Sequence, residues 1–279
     1  TRMSGKLYVV GTPIGNLEDF SPRAARILSE VDFIAAEDTR VSVKLLNHFG
    51  IKKELCSYFE HNRRESGQRI LARLLSGESC AIITDAGMPA VSDPGEELVR
   101  DAHKNGIEVV SVPGPSAAIT ALAVSGMPSA RFCFEGFLPV EKQLRNERLT
   151  ELKAESRTVI LYEAPHKLRA TLKALYKALG ERPLVITREL TKIYETITPV
   201  SLSEAVGFYE TNEPRGEYVL ILGGAEKAPA EEYTPSKAAE LARELMDGGL
   251  SASAAAKEAA AVSGVRKGEI YKLLIEDKG

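Results

Sequence analysis

The run Ala81-Ile82-Ile83-Thr84, continued by DAGMPAVSDPG (Asp85 to Gly95), decides the fold. A short apolar, β-branched run that ends in a loop rich in Gly, Pro and Asp reads as a buried strand and its exit turn. The loop leads into Glu96-Glu97-Leu98-Val99, a helix start with carboxylates in its first turn, where the helix dipole favours them. Open α/β sheets hold their ligands at such a place, outside the carboxyl end of a strand.

The same rhythm extends outward on both sides. Leu7 to Val10 reads as a first strand, leaving by the turn Gly11-Thr12-Pro13-Ile14-Gly15-Asn16. Ser21-Pro22 starts a helix, with Ser at the N-cap and Pro in the first turn. Asp32 to Ala36, Leu55 to Phe59 and Ile107 to Val112 are further strands, separated by helices over 41–49, 65–75 and 96–105. Gly50 and Gly106 stand where helices end. Short strands alternating with helices of this length predict βαβ units and a parallel sheet covered on both faces.

Val112-Pro113-Gly114-Pro115-Ser116 marks a boundary, and Ser116 caps a helix from Ala117. Beyond it, strand-like runs at 132–137, 159–162, 184–187, 194–200 and 218–222 crowd together. That spacing predicts a mixed sheet in an α+β domain. Glu141 to Arg157 mixes both signs of charge at helical spacing and reads as a solvated helix. A polar linker, 225–233, precedes an alanine-rich tail whose Ser263-Gly264-Val265 has the spacing of a helix-turn-helix. The expected organisation is thus a parallel α/β domain over 1–113, an α+β domain over 114–225 and a helical module over 233–279.

Composition narrows the function. The chain has 279 residues, 44% of them apolar and 27% charged, with a net charge of −3. Bulk charge therefore gives no attraction to nucleic acid, and any such binding rests on local patches. Three scattered cysteines, Cys56, Cys80 and Cys133, suit a reducing cytoplasm and form no metal-ligand pattern. No apolar stretch approaches a membrane span. Walker A, GxGxxG and GxSxG signatures are all missing. What remains is a set of small-residue loops, which let the main chain approach a ligand closely. Such loops suit a reaction driven by positioning, for example an in-line methyl transfer from S-adenosylmethionine.

Seven segments then occur together: LYVVGTPIGN, AAEDTR, TDAGMPAVSDPG, VPGPSAAITAL, FEGFLP, LYEAPHKL and TREL. In this order the chain resembles the tetrapyrrole-methylase-like (class III) S-adenosylmethionine methyltransferases, and within them the branch that methylates ribose 2′-oxygens of small-subunit ribosomal RNA. The resemblance covers essentially the whole chain and implies a cofactor folded between two domains. On the matching positions, Gly87, Met88, Pro89, Val91 and Ser92 would hold S-adenosylmethionine from one side, Ser116 and Ala117 from the interdomain helix, and Tyr162 from the second domain. The acceptor side would be formed by Thr12, Pro13 and Asn16, with Arg40 on the same rim. His166, Lys167 and Arg188 are placed to hold phosphate. A ribose hydroxyl is a poor nucleophile, so a base would help. Glu163, Glu189 and Lys192 are candidates, with Glu37 behind them, and a base-free route stays open. No metal is implied. Two clusters, Arg63-Arg64-Arg69 beside His61 and Lys167-Arg169-Lys173, are candidate RNA contacts.

The resemblance further implies a decoding-region cytidine of 16S ribosomal RNA as the target, presented by the small subunit, and a homodimeric enzyme. Two alternatives are a methylase for a tetrapyrrole precursor and a nucleic-acid-binding regulator working through the tail. From Glu231 onward, however, the tail carries nine acidic and seven basic residues, a weak footprint for duplex binding.

Overall fold

The computed structural model describes residues 4–226 and 233–276. By its contacts the chain divides into two units, 1–225 and 226–279. The linker expected over 225–233 lies mostly outside the described residues.

The first half of the larger unit runs β1 (Lys6–Val10), a 3-10 turn (Leu17–Asp19), α1 (Pro22–Glu30), β2 (Phe33–Ala36), α2 (Thr39–His48), β3 (Glu54–Ser57), α3 (Arg63–Leu75), β4 (Cys80–Ile83), α4 (Glu96–Lys104) and β5 (Glu108–Val112). Its five strands form a parallel sheet of order β3-β2-β4-β1-β5. Every residue of β2 and β4 is buried, which is why these strands are continuously apolar instead of alternating. Successive side chains still go to opposite faces. Phe33 and Ile82 join Leu74 and Leu98 on one face, while Ile34 and Ile83 join Leu28 and Leu46 on the other.

The second half begins with α5 (Ala117–Ser125) and continues β6 (Phe132–Phe137), α6 (Lys142–Ala154), β7 (Thr158–Glu163), α7 (Pro165–Leu179), β8 (Pro183–Arg188), β9 (Thr196–Ser201), α8 (Leu202–Thr211) and β10 (Tyr218–Leu222). The sheet order is β6-β7-β10-β8-β9, with β6 and β7 parallel and the other pairs antiparallel. The sheet is mixed, as its crowded strand signals predict. Leu149, Leu168, Leu172 and Leu202 cover one face. Ala118 and Leu122 of α5 cover the other, against Ile160, Val185, Val219 and Ile221.

Two expectations are corrected. Tyr194 is outside β9, because Lys192 N–H returns to Glu189 O and Glu195 N–H to Lys192 O, turning the chain before pairing begins. Helix α8 was not expected, although Ser201 and Glu204 form the reciprocal capping box that announces it.

The smaller unit packs α9 (Pro235–Asp247), α10 (Ala252–Ser263) and α11 (Lys267–Glu276) around Ala238, Ala242, Ala255, Ala256, Ala259, Ile270 and Leu274. Alanines at the seam let the helices approach closely. Gly264, with φ of 72°, makes the left-handed turn between α10 and α11 that the helix-turn-helix spacing requires.

The exits of β1 and β5 touch backbone to backbone. A Cβ on Gly114 would lie 2.8 Å from the Gly11 Cα, closer than real contacts allow. Gly114→Ala is therefore expected to cost about 1–3 kcal/mol of stability by overpacking and to splay the two loops. Chemical denaturation and cofactor titration of the variant measure both effects.

Candidate active site

Three loops converge at the carboxyl ends of β1, β4 and β5. Thr12 has no exposed surface. Its N–H donates to Gly87 O at 2.9 Å and its carbonyl accepts from Gly87 N–H at 3.1 Å. Its hydroxyl donates to Thr84 O at 3.1 Å. These bonds fix the loop after β4 against the loop after β1. The β4 loop itself turns through left-handed conformations at Gly87, Ala90 and Ser92, with φ of 90°, 66° and 60°. For Ala and Ser such values are costly and are held by surrounding structure. The Ser92 hydroxyl reaches the second sheet at Gly136, where β6 carries a bulge.

Between this loop, α5 and the second sheet lies a cleft of about 750 Å³, within the range of small-molecule sites. Small residues, Ala86, Gly87, Ala117, Ala118 and Ala164, line it together with aromatic rings. Phe134 and Phe137 each meet Tyr162 edge to face, at 5.0 and 5.6 Å between centroids. The Tyr162 hydroxyl accepts the Ala118 N–H at 3.1 Å, tying β7 to the first turn of α5. Ser116 caps that turn. An apolar slot with flat rings, small-residue backbone and few polar groups fits a purine and a thioether chain.

The residues expected on the cofactor side separate clearly. Gly87, Met88, Val91, Ser92, Ser116, Ala117 and Tyr162 all line the cleft. Pro89 is buried and is not among the lining residues. The expectation that Thr12 faces an acceptor is corrected, since its hydroxyl is spent on the loop junction. Pro13 is half-buried, and Asn16 accepts the Glu18 N–H to cap the 3-10 turn. Arg40 is bound to Asp38 at 2.7 Å, and the guanidinium beside Asp38 holds its carboxyl down at about 2. That pair is an ion-pair set at the start of α2. His166 and Lys167 are exposed in the first turn of α7. Arg188 donates Nε–H to Arg215 O at 2.7 Å.

Each candidate base is engaged. Glu163 is buried, accepting from Ala164 N–H at 2.8 Å and from the Thr171 hydroxyl at 2.5 Å. Glu189 accepts from Lys192 Nζ at 3.0 Å and from Glu217 N–H at 2.9 Å. Burial favours its neutral form, but these two donors outweigh burial and bring the carboxyl below its ordinary value. Lys192 also reaches Glu217 at 2.7 Å. Burial draws its ammonium down, the two carboxylates more than restore it, and it stays charged.

Asp93, part of the cleft wall, is the residue that sequence reading passed over. Burial pushes its carboxyl up to about 6, the charges of Glu37 and Asp85 add to the rise, and the neighbouring Thr84 hydroxyl opposes it. In the sequence Asp93 reads only as a turn residue in SDPG. The signal available was an acid placed two residues before a helix-capping glycine, on a loop already assigned to ligand.

The two basic clusters are largely occupied. Arg63 pairs with Glu60 and Glu97, and Arg69 with Glu65. Arg169 donates to Tyr209 O and Asn212 O, and Lys173 pairs with Glu210. Among the described residues no group of three or more His, Cys, Asp or Glu is placed to hold a metal. No described helix is long and apolar enough to cross a membrane.

Comparison with known proteins agrees with this geometry. The profile of the tetrapyrrole (corrin/porphyrin) methylases matches residues 6–206. Ribosomal RNA small subunit methyltransferase I of Pseudomonas aeruginosa is 46% identical over 279 residues, 99% of both chains. The protein of that name from Escherichia coli O157:H7 is 44% identical over 99% of this chain and 96% of its own. Among solved structures, uroporphyrin-III C-methyltransferase of Thermus thermophilus superposes with a TM-score of 0.55 at 21% identity, over 78% of this chain and 94% of its own. Diphthine synthase gives 0.63 at 14% identity, over 78% and 90%. The structural likenesses establish the fold, and the sequence matches establish the kinship: the chain belongs to the tetrapyrrole methylase family of S-adenosylmethionine-dependent methyltransferases.

Proposed function

We propose that this enzyme methylates a ribose 2′-oxygen of small-subunit ribosomal RNA, at a cytidine of the decoding region. The carrying observation is the near full-length identity, 42–47%, to relatives named ribosomal RNA small subunit methyltransferase I. The substrate is the assembled small subunit or a late intermediate of it. The enzyme works in the cytoplasm as a homodimer, its residues 1–113 and 114–225 closing on the cofactor as two lobes.

S-adenosylmethionine, when bound, supplies a methyl group carried on a sulfonium. Cofactor contacts fall to Gly87, Met88, Val91, Ser92, Ser116, Ala117 and Tyr162. The aromatic and alanine walls exclude water from the slot, which strengthens the few polar contacts inside. The Thr12 junction holds the acceptor loop at a fixed height above the slot. Asp93 takes the proton of the incoming hydroxyl, a role supported by its place among the residues lining the cleft and by a proton affinity raised toward neutral pH. Glu189, Lys192 and Glu217 act as a rigid rim, with His166 and Lys167 available to phosphate.

The sign of the Asp93 effect follows from its raised value. The folded carboxyl keeps its proton to about pH 6, so the base form accumulates only above that. Methylation is expected to rise from pH 5 to pH 7 with a midpoint near 6. Asp93→Asn should lose this limb and slow turnover on the order of 10²-fold. Ionisation of Asp93 costs the fold stability as pH rises from the unfolded value to about 6. Asp93→Asn should therefore unfold no more readily than wild type at pH 7, which separates lost chemistry from lost folding. An unchanged rate profile in the variant removes Asp93 as base.

The reaction itself is tested with labelled S-adenosylmethionine and small subunits from cells lacking the modification. Mass spectrometry should find one methyl on a 2′-oxygen in the decoding region. No transfer to subunits or free RNA, with cofactor bound, would point to a small-molecule acceptor. Light scattering at micromolar concentration should give twice the chain mass.

A further inference from the structure

Beside the cleft mouth, the turn between β8 and β9 throws two large apolar side chains into solvent. Ile193 is 94% exposed and Tyr194 74%. A turn of this length is normally blunted with small or polar residues, so nothing in the fold calls for these two.

The base of the turn is held rigidly. Thr191 N–H donates to Glu195 at 2.6 Å, Glu189 N–H donates to Glu217 O at 2.9 Å, and Lys192 Nζ binds both Glu189 and Glu217. Glu189 and Thr191 are left-handed, with φ of 52° and 70°. For a β-branched residue such as Thr191 this is an outlier. The Thr191 hydroxyl is also shut off from solvent with no hydrogen-bond partner. Strain and a lost hydrogen bond are tolerated here, which marks a conformation kept for something other than stability.

The turn is fixed against the β1 loop, the side of the cleft expected to receive the acceptor. Leu190 and Glu217 line the cleft together with Ile14 of the β1 loop. A Cβ on Gly15 of that loop would fall 2.6 Å from the Lys192 side chain and 2.9 Å from the Thr191 hydroxyl. The base of the tip therefore lies against the β1 loop at the edge of the cleft, and the tip itself projects into solvent.

We infer that the tip over residues 191–195 is an acceptor clamp, with the Tyr194 ring stacking on an unpaired base beside the reacting ribose and Ile193 packing against the same strand. This rests on the RNA reading above. Single-stranded nucleic acid is recognised through bases stacked on exposed aromatic rings, and one rigid ring beside a methyl-transfer cleft meets that need.

The test measures steady-state methylation of small subunits lacking the modification, with wild type, Tyr194→Ala, Tyr194→Phe and Ile193→Ser. Tyr194→Ala is expected to raise KM for subunits about tenfold or more, with kcat and cofactor affinity near wild type. Tyr194→Phe should restore KM, because stacking uses the ring and not the hydroxyl. Ile193→Ser should raise KM to a smaller extent. A wild-type KM in Tyr194→Ala overturns the clamp while leaving the RNA reading intact. Failure of wild type to methylate subunits overturns both. A fall from dimer to monomer mass in Tyr194→Ala or Ile193→Ser also overturns the clamp, making the tip a contact with a second copy.

Discussion

Everything at the site depends on main chain meeting main chain at the top of the parallel sheet. Gly11 and Gly114 touch without side chains between them, and Thr12 bridges to Gly87 with both backbone groups and to Thr84 O with its hydroxyl. Remove that junction and the loops after β1, β4 and β5 have no common reference. The left-handed turns at Ala90 and Ser92 are then unsupported, and Ser92 loses its seat against the Gly136 bulge. The cleft is thus a by-product of how three strand exits are tied, more than of any one side chain within it.

The charges obey a complementary economy. Around the cleft most acids and bases already have partners: Asp38 with Arg40, Glu189 and Glu217 with Lys192, Glu163 with the start of α7. Such pairs stiffen a rim but have little freedom to exchange protons. Asp93 differs because it is partly desolvated and lies among like charges. In the proposed transfer, whose barrier is lowered chiefly by alignment, the fixed ion pairs would hold geometry and the one adjustable carboxyl would handle the proton.

Much of this was legible in the chain. Runs such as Ala81 to Thr84 and Leu7 to Val10 announced the parallel sheet, because strands buried on both faces must be continuously apolar. The glycine and proline loops announced a cleft at the strand exits: Gly87, Met88, Val91, Ser92, Ser116, Ala117 and Tyr162 line it, whereas Pro89, Thr12, Pro13 and Asn16 do not. Side-chain direction was not legible. Thr12 lies in the right loop yet faces inward. Arg63, Arg69 and Arg169 are basic yet engaged by partners distant in sequence or one turn away. Asp93 was hidden because its property comes from burial and from Glu37, 56 residues earlier in numbering. Helix α8 was missed for a different reason: its start signal, Ser201 with Glu204, directly abuts a strand.

The order of the first sheet has a consequence for how the chain matures. β1 is made first but lies fourth in the row, between β4 and β5, with partners at Cys80 and Glu108. At roughly 5–20 residues per second, its second edge waits roughly 5–20 seconds for β5 to be synthesised. Throughout that interval LYVV offers an unpaired, apolar edge to whatever is nearby. The strand whose exit loop ties the cleft together thus has one edge unpaired for the whole of that interval, and pairing across such separations is intrinsically slow.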